Sequence, residues 1–283
     1  MRIFARSRPS HAIAASLAIA AACAAPEPTS NRTPPQIAWF DGEPRGHSHN
    51  DYLRPAPLQL ALRHGFHSVE ADVFLRDGEL LVGHDEWMLQ AGRTLERLYL
   101  DPLRERVATN GGSVHGDGQP FLLLVDIKRD GEAVYARLET ALAERSQMLT
   151  RFGPDGIEPG AVTVILSGDR PRATLARQAV RLVAIDGRIE DLDGTTPPSL
   201  VPLISDSWKR RFEWDGIDPL EDHEAQRLRE LAHRARSQGR MLRFWGAPDR
   251  PAVWDALQTT GVTWINTDRP RDFAAWQQQS STR

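Results

Sequence analysis

Short apolar runs alternate along the chain with stretches whose apolar residues recur at helical spacing. The runs 46–47, 68–73, 80–82, 121–127, 162–166, 182–185, 201–204, 241–244 and 263–265 predict strands. The stretches 57–64, 133–145, 172–179, 223–238 and 251–260 predict amphipathic helices, with Leu138, Leu142 and Leu149 in one and Leu228, Leu231 and Ala235 in another marking a buried stripe. Runs 121–125 and 162–166 are almost continuously apolar, as in strands of a parallel sheet covered on both faces. Strand–helix alternation repeated about eight times predicts an α/β fold, a single (β/α)8 TIM-like barrel. A doubly wound open sheet is the competing architecture, and the chain holds no Gly-rich dinucleotide fingerprint to support it. The stretch 186–214, with its Gly, Pro and Asp clusters, reads as loop-rich around the strand at 201–204, and 111–118 reads as a loop.

The first residues follow a different pattern. Arg2, Arg6 and Arg8 precede an apolar run over 12–22, the layout of an export signal over 1–25. Cys23, the only cysteine, sits where the acylated cysteine of a bacterial lipoprotein would be; cleavage after an Ala-x-Ala site near Ala24 or Ala25 is the alternative. A Pro-, Thr- and Ser-rich tether over 26–38 follows, then the barrel domain over 39–283. The expected location is exported, periplasmic or at the cell surface, with membrane anchoring through Cys23. With no second cysteine, packing must supply the stability. A net charge of −3 with interspersed signs argues against nucleic-acid binding, and no protein partner is evident.

The chemistry-bearing residues collect at strand ends: Gly46-His-Ser-His-Asn-Asp-Tyr52, Val69-Glu-Ala-Asp-Val73, Gly83-His-Asp85 and Val125-Asp-Ile-Lys128. In an α/β barrel the C-terminal strand ends share one face, where active sites are built. Glu70 and Asp72, two apart on a strand, point the same way, and two carboxylates inside a core repel unless a cation joins them. Oxygen ligands from Asn50, Glu70, Asp72 and Asp126 suit one divalent cation, Mg2+ or Ca2+. His49 and His84 are candidates for general base and acid, since imidazole titrates near neutral pH. His47, two residues before His49, is either a supporting group or the true base. Ordinary packing or surface roles account for His64, His67, His115, His223 and His233. Lys128 and Arg243 are each either phosphate holders or ion-pair partners, and Trp245 and Tyr52 are candidate pocket walls.

These clusters, in this order, resemble the phosphoinositide-specific phospholipase C-like phosphodiesterase superfamily. Ser48-His-Asn-Asp-Tyr-Leu53 resembles the phospholipase C segment in which the His is catalytic and the Asn binds metal. Glu70-Ala-Asp72, Gly83-His84-Asp85 and Val125-Asp-Ile-Lys128 resemble the metal pair, second His and metal-ligand strand of glycerophosphodiester phosphodiesterases. Ile265-Asn-Thr-Asp-Arg-Pro270 resembles their closing strand, and Met241-Leu-Arg-Phe-Trp245 the strand before it. The stretch from His47 to Leu103 is most similar to the branch named after altered inheritance of mitochondria protein 6. The resemblance implies a metal-dependent phosphoric diester hydrolase acting on a small phosphodiester or phospholipid-type substrate, in which a substrate hydroxyl attacks first to give a cyclic phosphate that water then opens. The His-Arg-Gly and Pro-Glu-Asn-Thr segments of glycerophosphodiesterases are absent, which leaves the head group open. Two alternatives stand beside this reading: a sphingomyelinase-D-like lyase, and a non-catalytic phosphate- or sugar-binding surface lipoprotein.

Overall fold

A computed structural model describes Met1 and residues 44–280. The expected leader over 1–25, Cys23 and the tether over 26–38 lie outside the described residues. Among the described residues no helix is long and apolar enough to cross a membrane.

In chain order the strands are β1 (Arg45–Ser48), β2 (Ser68–Arg76), β3 (Glu79–Val82), β4 (Phe121–Ile127), β5 (Arg151–Gly153), β6 (Gly156–Glu158), β7 (Val162–Gly168), β8 (Val183–Gly187), β9 (Leu203–Ser207), β10 (Met241–Trp245) and β11 (Trp264–Thr267). The helices are α1 (Gln59–Arg63), α2 (Asp101–Thr109), α3 (Gly131–Ala143), α4 (Arg172–Arg177), α5 (Trp208–Arg211), α6 (Asp222–Ser237), α7 (Pro251–Thr260) and α8 (Pro270–Ser280). The order β1-β2-β4-β7-β8-β9-β10-β11 returns to β1, so the eight parallel strands close on themselves. This is the (β/α)8 barrel that the alternation predicted.

Strand alternation builds two cores. Leu122, Leu124, Ile165, Ala184, Leu203, Met241 and Trp264 fill the barrel interior, with Phe152 of the β5–β6 hairpin added to them. Val69, Ala71, Val73, Leu123, Val125, Val164 and Leu166 point outward to the helix layer. On α3 the buried set is Val134, Tyr135, Leu138, Ala141 and Leu142, and on α6 it is Leu228, Leu231, Ala232 and Ala235. Both sets follow i, i+3, i+4 spacing.

Several expectations change. The strand expected at 80–82 is not a barrel stave: β3 pairs antiparallel with β2 and forms a hairpin that brings the chain back to the mouth beside Asp72. Leu149 lies beyond α3, in an isolated bridge to Val162. The segment 186–214 is not all loop, since it holds the end of β8, a short 3-10 turn at Ile189–Asp193, β9 and α5. The strand expected at 201–204 lies at Leu203–Ser207, displaced because Pro202 has no N–H to offer a neighbouring strand.

Gly46 shows how tightly the outer layer is packed. A Cβ there would lie 2.6 Å from Phe273 and 2.7 Å from Phe66, two rings already in tilted contact with centroids 5.5 Å apart. Gly46→Ala is therefore expected to destabilise the fold by about 1–3 kcal/mol through overpacking. A denaturant midpoint equal to that of the natural protein would contradict this packing.

Candidate active site

The inward residues at the C-terminal ends of the strands are polar. β2 turns Val69, Ala71 and Val73 toward the helices, so Glu70 and Asp72 face the interior. Asp72 is in register with Asp126 of β4, and Asp126 with Ser167 of β7. Glu70, Asp72 and Asp126 each offer a carboxylate oxygen within 4.8 Å of the others. Gly168, which ends β7 at φ +67, makes room for this: a Cβ there would collide with Asp126 Oδ1 and the Ile127 carbonyl.

Counter-charges surround the three acids. Arg243 Nη1 donates to Glu70 Oε2 at 2.7 Å. Lys128 Nζ lies 2.6 Å from Asp72 Oδ2 and 2.8 Å from Asp126 Oδ2. Lys128 and Arg243 thus both act as ion-pair partners of the acids. Burial disfavours the charged form of Glu70, but Arg243, His49 and His47 outweigh it and hold its carboxyl well below the ordinary range. Asp72 behaves oppositely, since burial and then the Glu70 charge push its pKa up to about 6 against the pull of Lys128. Burial also raises that of Asp126, again against Lys128. The three acids carry one negative charge more than Lys128 and Arg243 balance, which is the state a cation relieves. Asp72 Oδ1 and Asp126 Oδ1 are enclosed without hydrogen-bond partners. These orphaned oxygens, beside Glu70 and the Asn50 amide, make a hard-oxygen donor set that fits a divalent ion such as Mg2+ or Ca2+.

The three candidate histidines take different positions. His47 is buried, with Nδ1 2.6 Å from Ser68 Oγ and Nε2 2.5 Å from Arg243 Nη1. Arg243 can only donate, so Nε2 must accept and the ring proton sits on Nδ1. The 3.2 Å separation between Nε2 and Glu70 Oε2 is then a contact between two acceptors bridged by the guanidinium. Burial first, then Arg243, lowers the His47 pKa to about 4. His49, just past β1, holds Nδ1 3.0 Å from Asp268 Oδ1, with Nε2 3.9 Å from Glu70 Oε1. Burial opposes its charged form, but Glu70 and Asp268 together raise its pKa. His84 leaves the β3 hairpin with its side chain 50 % exposed and Nδ1 2.9 Å from Asp72 Oδ2. The Gly83 amide donates to the Asp72 carbonyl at 3.1 Å and fixes that loop to β2.

Tyr52 is not a pocket wall. It is buried, and its hydroxyl lies 2.6 Å from Asp72 Oδ2, 2.8 Å from Asn50 Oδ1 and 3.2 Å from His84 Nδ1. One hydroxyl proton serves one of these acceptors at a time, so Tyr52 braces three site residues at once. Burial, then the Asp72 carboxylate, holds its hydroxyl protonated far above the ordinary range. Trp245 does reach the mouth: it lies two residues beyond Arg243 on the same face of β10, partly exposed, with the Arg188 guanidinium 4.8 Å over its ring.

Sequence reasoning left three supports without a role. Asp268 holds His49; its place just past a closing strand was the available signal. Asp51 is buried inside the loop after β1, accepting from Ser48 Oγ at 2.9 Å and Tyr99 Oη at 3.0 Å. It anchors the turn in which Asn50 adopts a left-handed conformation at φ 47. Arg54 Nη2 donates to the His49 carbonyl at 3.3 Å and lies 3.6 Å from Asp268. His67, assigned no catalytic role, pairs instead with Asp117 in the loop ahead of β4.

A closed parallel barrel with acids and imidazoles gathered at its C-terminal mouth is an architecture of phosphodiesterases. Residues 43–186 match the family model described as the AIM6-like phosphodiesterase domain. The altered inheritance of mitochondria protein 6 homolog of Arthroderma benhamiae is 32% identical over 256 residues, spanning 78% of this chain and 80% of that protein. The Eremothecium gossypii protein of that name is 28% identical over 268 residues, spanning 79% of this chain and 67% of its own. A glycerophosphodiester phosphodiesterase from Parabacteroides distasonis shares the fold at a TM-score of 0.52 and 15% identity, over 85% of this chain and 98% of that one. The chain belongs to the AIM6-like phosphodiesterase family.

Proposed function

We propose that this protein is a metal-dependent phosphoric diester hydrolase for glycerophosphodiester or phospholipid-type substrates, with His49 and His84 as its acid–base pair. The observation that carries this reading is the convergence of Glu70, Asp72 and Asp126 within 4.8 Å of one another, flanked by two accessible imidazoles. Asn50, Glu70, Asp72 and Asp126 would hold the cation. When bound, a divalent ion supplies Lewis-acid polarisation of the phosphate and neutralises charge that develops on it.

The chain's own groups divide the proton work. His49 presents Nε2 to the mouth while Asp268 fixes Nδ1, so a proton taken at Nε2 leaves an imidazolium already paired with a carboxylate. This is the base for the attacking hydroxyl. His84, braced by Asp72 and open to solvent, delivers a proton to the departing alkoxide. His47 serves neither step, because Arg243 occupies its lone pair; it positions Glu70 and Arg243. On this reading the leader-like segment delivers the enzyme to the periplasm or cell surface.

The test is a head-group release screen on glycerophosphodiesters, lysophospholipids and phosphatidylinositol, with and without chelator. Release that chelator abolishes and added Mg2+ or Ca2+ restores is expected. Undiminished release after the ions are stripped would end the proposal, and cyclic phosphate as the final product would make the enzyme a lyase. His49→Ala and His84→Ala are each expected to slow turnover about 10²- to 10⁴-fold.

Asp268→Asn gives a second readout. Without the negative partner the charged imidazole of His49 is less favoured and its pKa falls. If His49 is the base, activity is lost as acid protonates it. The acidic limb of the kcat/KM profile is therefore expected to move to lower pH in Asp268→Asn. An unmoved limb would remove His49 from the role of base.

A further inference from the structure

We propose that the mouth contains a second anion subsite, built by Arg188 and Arg170, and that the substrate's alcohol portion carries its own negative charge there. This rests on the phosphodiesterase reading and narrows its substrate class.

The guanidiniums on the β7–β9 side of the mouth are unequally satisfied. Arg172 is paired with both oxygens of Asp191, and Arg211 with Asp206 and Glu190. Arg170 is not: its Nη1 donates to the Gly168 carbonyl at 2.7 Å, its Nε is enclosed without a partner, and among the described residues no carboxylate pairs with it. Burial, then the neighbouring charge of Arg188, pushes its pKa down. Arg188 Nη1 donates to the Gly187 carbonyl at 2.7 Å, and its carboxylate partner is a share of Asp186, whose Oδ2 lies 3.1 Å from Nη1 and also accepts from Ser167 Oγ at 2.8 Å. Two half-buried cations side by side with too little counter-charge are costly in a fold, unless an anion completes the set.

The location joins this pair to the reaction centre. Gly168 packs on Asp126, and Arg170 follows two residues later. The Arg188 guanidinium carbon sits 4.8 Å from the ring centroid of Trp245, which shares the inward face of β10 with Arg243. A guanidinium held on an aromatic face keeps its edge free for a bidentate anion. A carboxylate or phosphate on the alcohol would reach that edge while the scissile phosphate sits at the acids.

Matched substrates test the idea: the glycerophosphodiesters of ethylene glycol, of glycolate and of 2-phosphoethanol. The natural protein is expected to favour the charged diesters by about tenfold to a hundredfold in kcat/KM, the scale of a charge-assisted hydrogen-bond pair. The larger preference tells carboxylate from phosphate. The ratio should fall close to one in Arg188→Gln and in Arg170→Gln, and hold in Arg151→Gln on the β5–β6 hairpin. A ratio near one in the natural protein, or one unchanged in both rim variants, would overturn the proposal.

Calorimetric binding of 2-phosphoglycolate against ethylene glycol monophosphate, with Mg2+ present, asks the same question without turnover. A preference for 2-phosphoglycolate of about tenfold, lost in Arg188→Gln, supports the subsite even where no diester is cleaved; that combination would count against the phosphodiesterase reading alone. Equal binding would sink the subsite.

Discussion

Asp126→Asn is expected to cut phosphodiesterase turnover by about three orders of magnitude and to weaken divalent-cation binding in parallel, since a metal contributes several kcal/mol to a phosphoryl transition state. Asp126 is the most revealing of the three acids to change. Its side chain is partly exposed at the rim, whereas Glu70 and Asp72 are enclosed, so the fold should survive. Asparagine keeps the size and one acceptor oxygen, removes the charge and replaces the other oxygen by an NH2 donor. Lys128 would then be left to Asp72 alone, which also loses a neighbouring negative charge that helps raise its pKa. Turnover and calorimetric Mg2+ binding measured on the same preparation separate the outcomes. A variant that binds Mg2+ as before and turns over at the natural rate would show that Asp126 is no ligand.

Arg243→Met is expected to destabilise the protein by about 3–5 kcal/mol in chelator, the cost of leaving one buried charge without its partner. Arg243 and Glu70 are both nearly inaccessible, with side chains 4% and 6% exposed. Without the guanidinium, Glu70 keeps only His47 and His49, at 3.2 Å and 3.9 Å, to set against burial and the Asp72 carboxylate. The double variant Glu70→Gln/Arg243→Met removes both charges and should recover much of the loss. Mg2+ should also recover part of the single variant's stability, because a cation beside Glu70 replaces the missing charge. Urea midpoints with chelator and with Mg2+ give the comparison. A single variant within about 1 kcal/mol of the natural protein in chelator, the range of an exposed pair, would mean the pair is not the buried clamp described.

The helices missed by pattern had weak local signals. The π turn at Glu96–Leu100 and α2 bury Leu95, Tyr99, Leu100 and Leu103. Pro102 and the polar run that follows mask this stripe. α8 is polar over most of its surface and buries Pro270, Phe273, Ala274 and Trp276, where Phe273 meets Trp254 of α7 edge-on and Trp276 packs against it at a tilt. Only the partner helix makes that short stripe worth burying. The β5–β6 hairpin is three residues a side, too short for period-two alternation to register.

The barrel, the shared direction of Glu70 and Asp72, and the acids and imidazoles that gather at the strand ends were legible along the chain. Those properties are local: alternation along one strand sets which face a side chain takes, and residue type sets its chemistry. Only the tertiary structure decided which charges meet. Asp268 reaches His49 across 219 residues, and Arg243 reaches Glu70 across 173. Both pairings depend on β11 closing onto β1, a choice that no window of sequence contains. The same closure buries His47 and gives its lone pair to Arg243, while leaving His49 two residues away facing the mouth. Burial and long-range charge separate two imidazoles that look alike in the chain, and these arise only when distant strands share one interior.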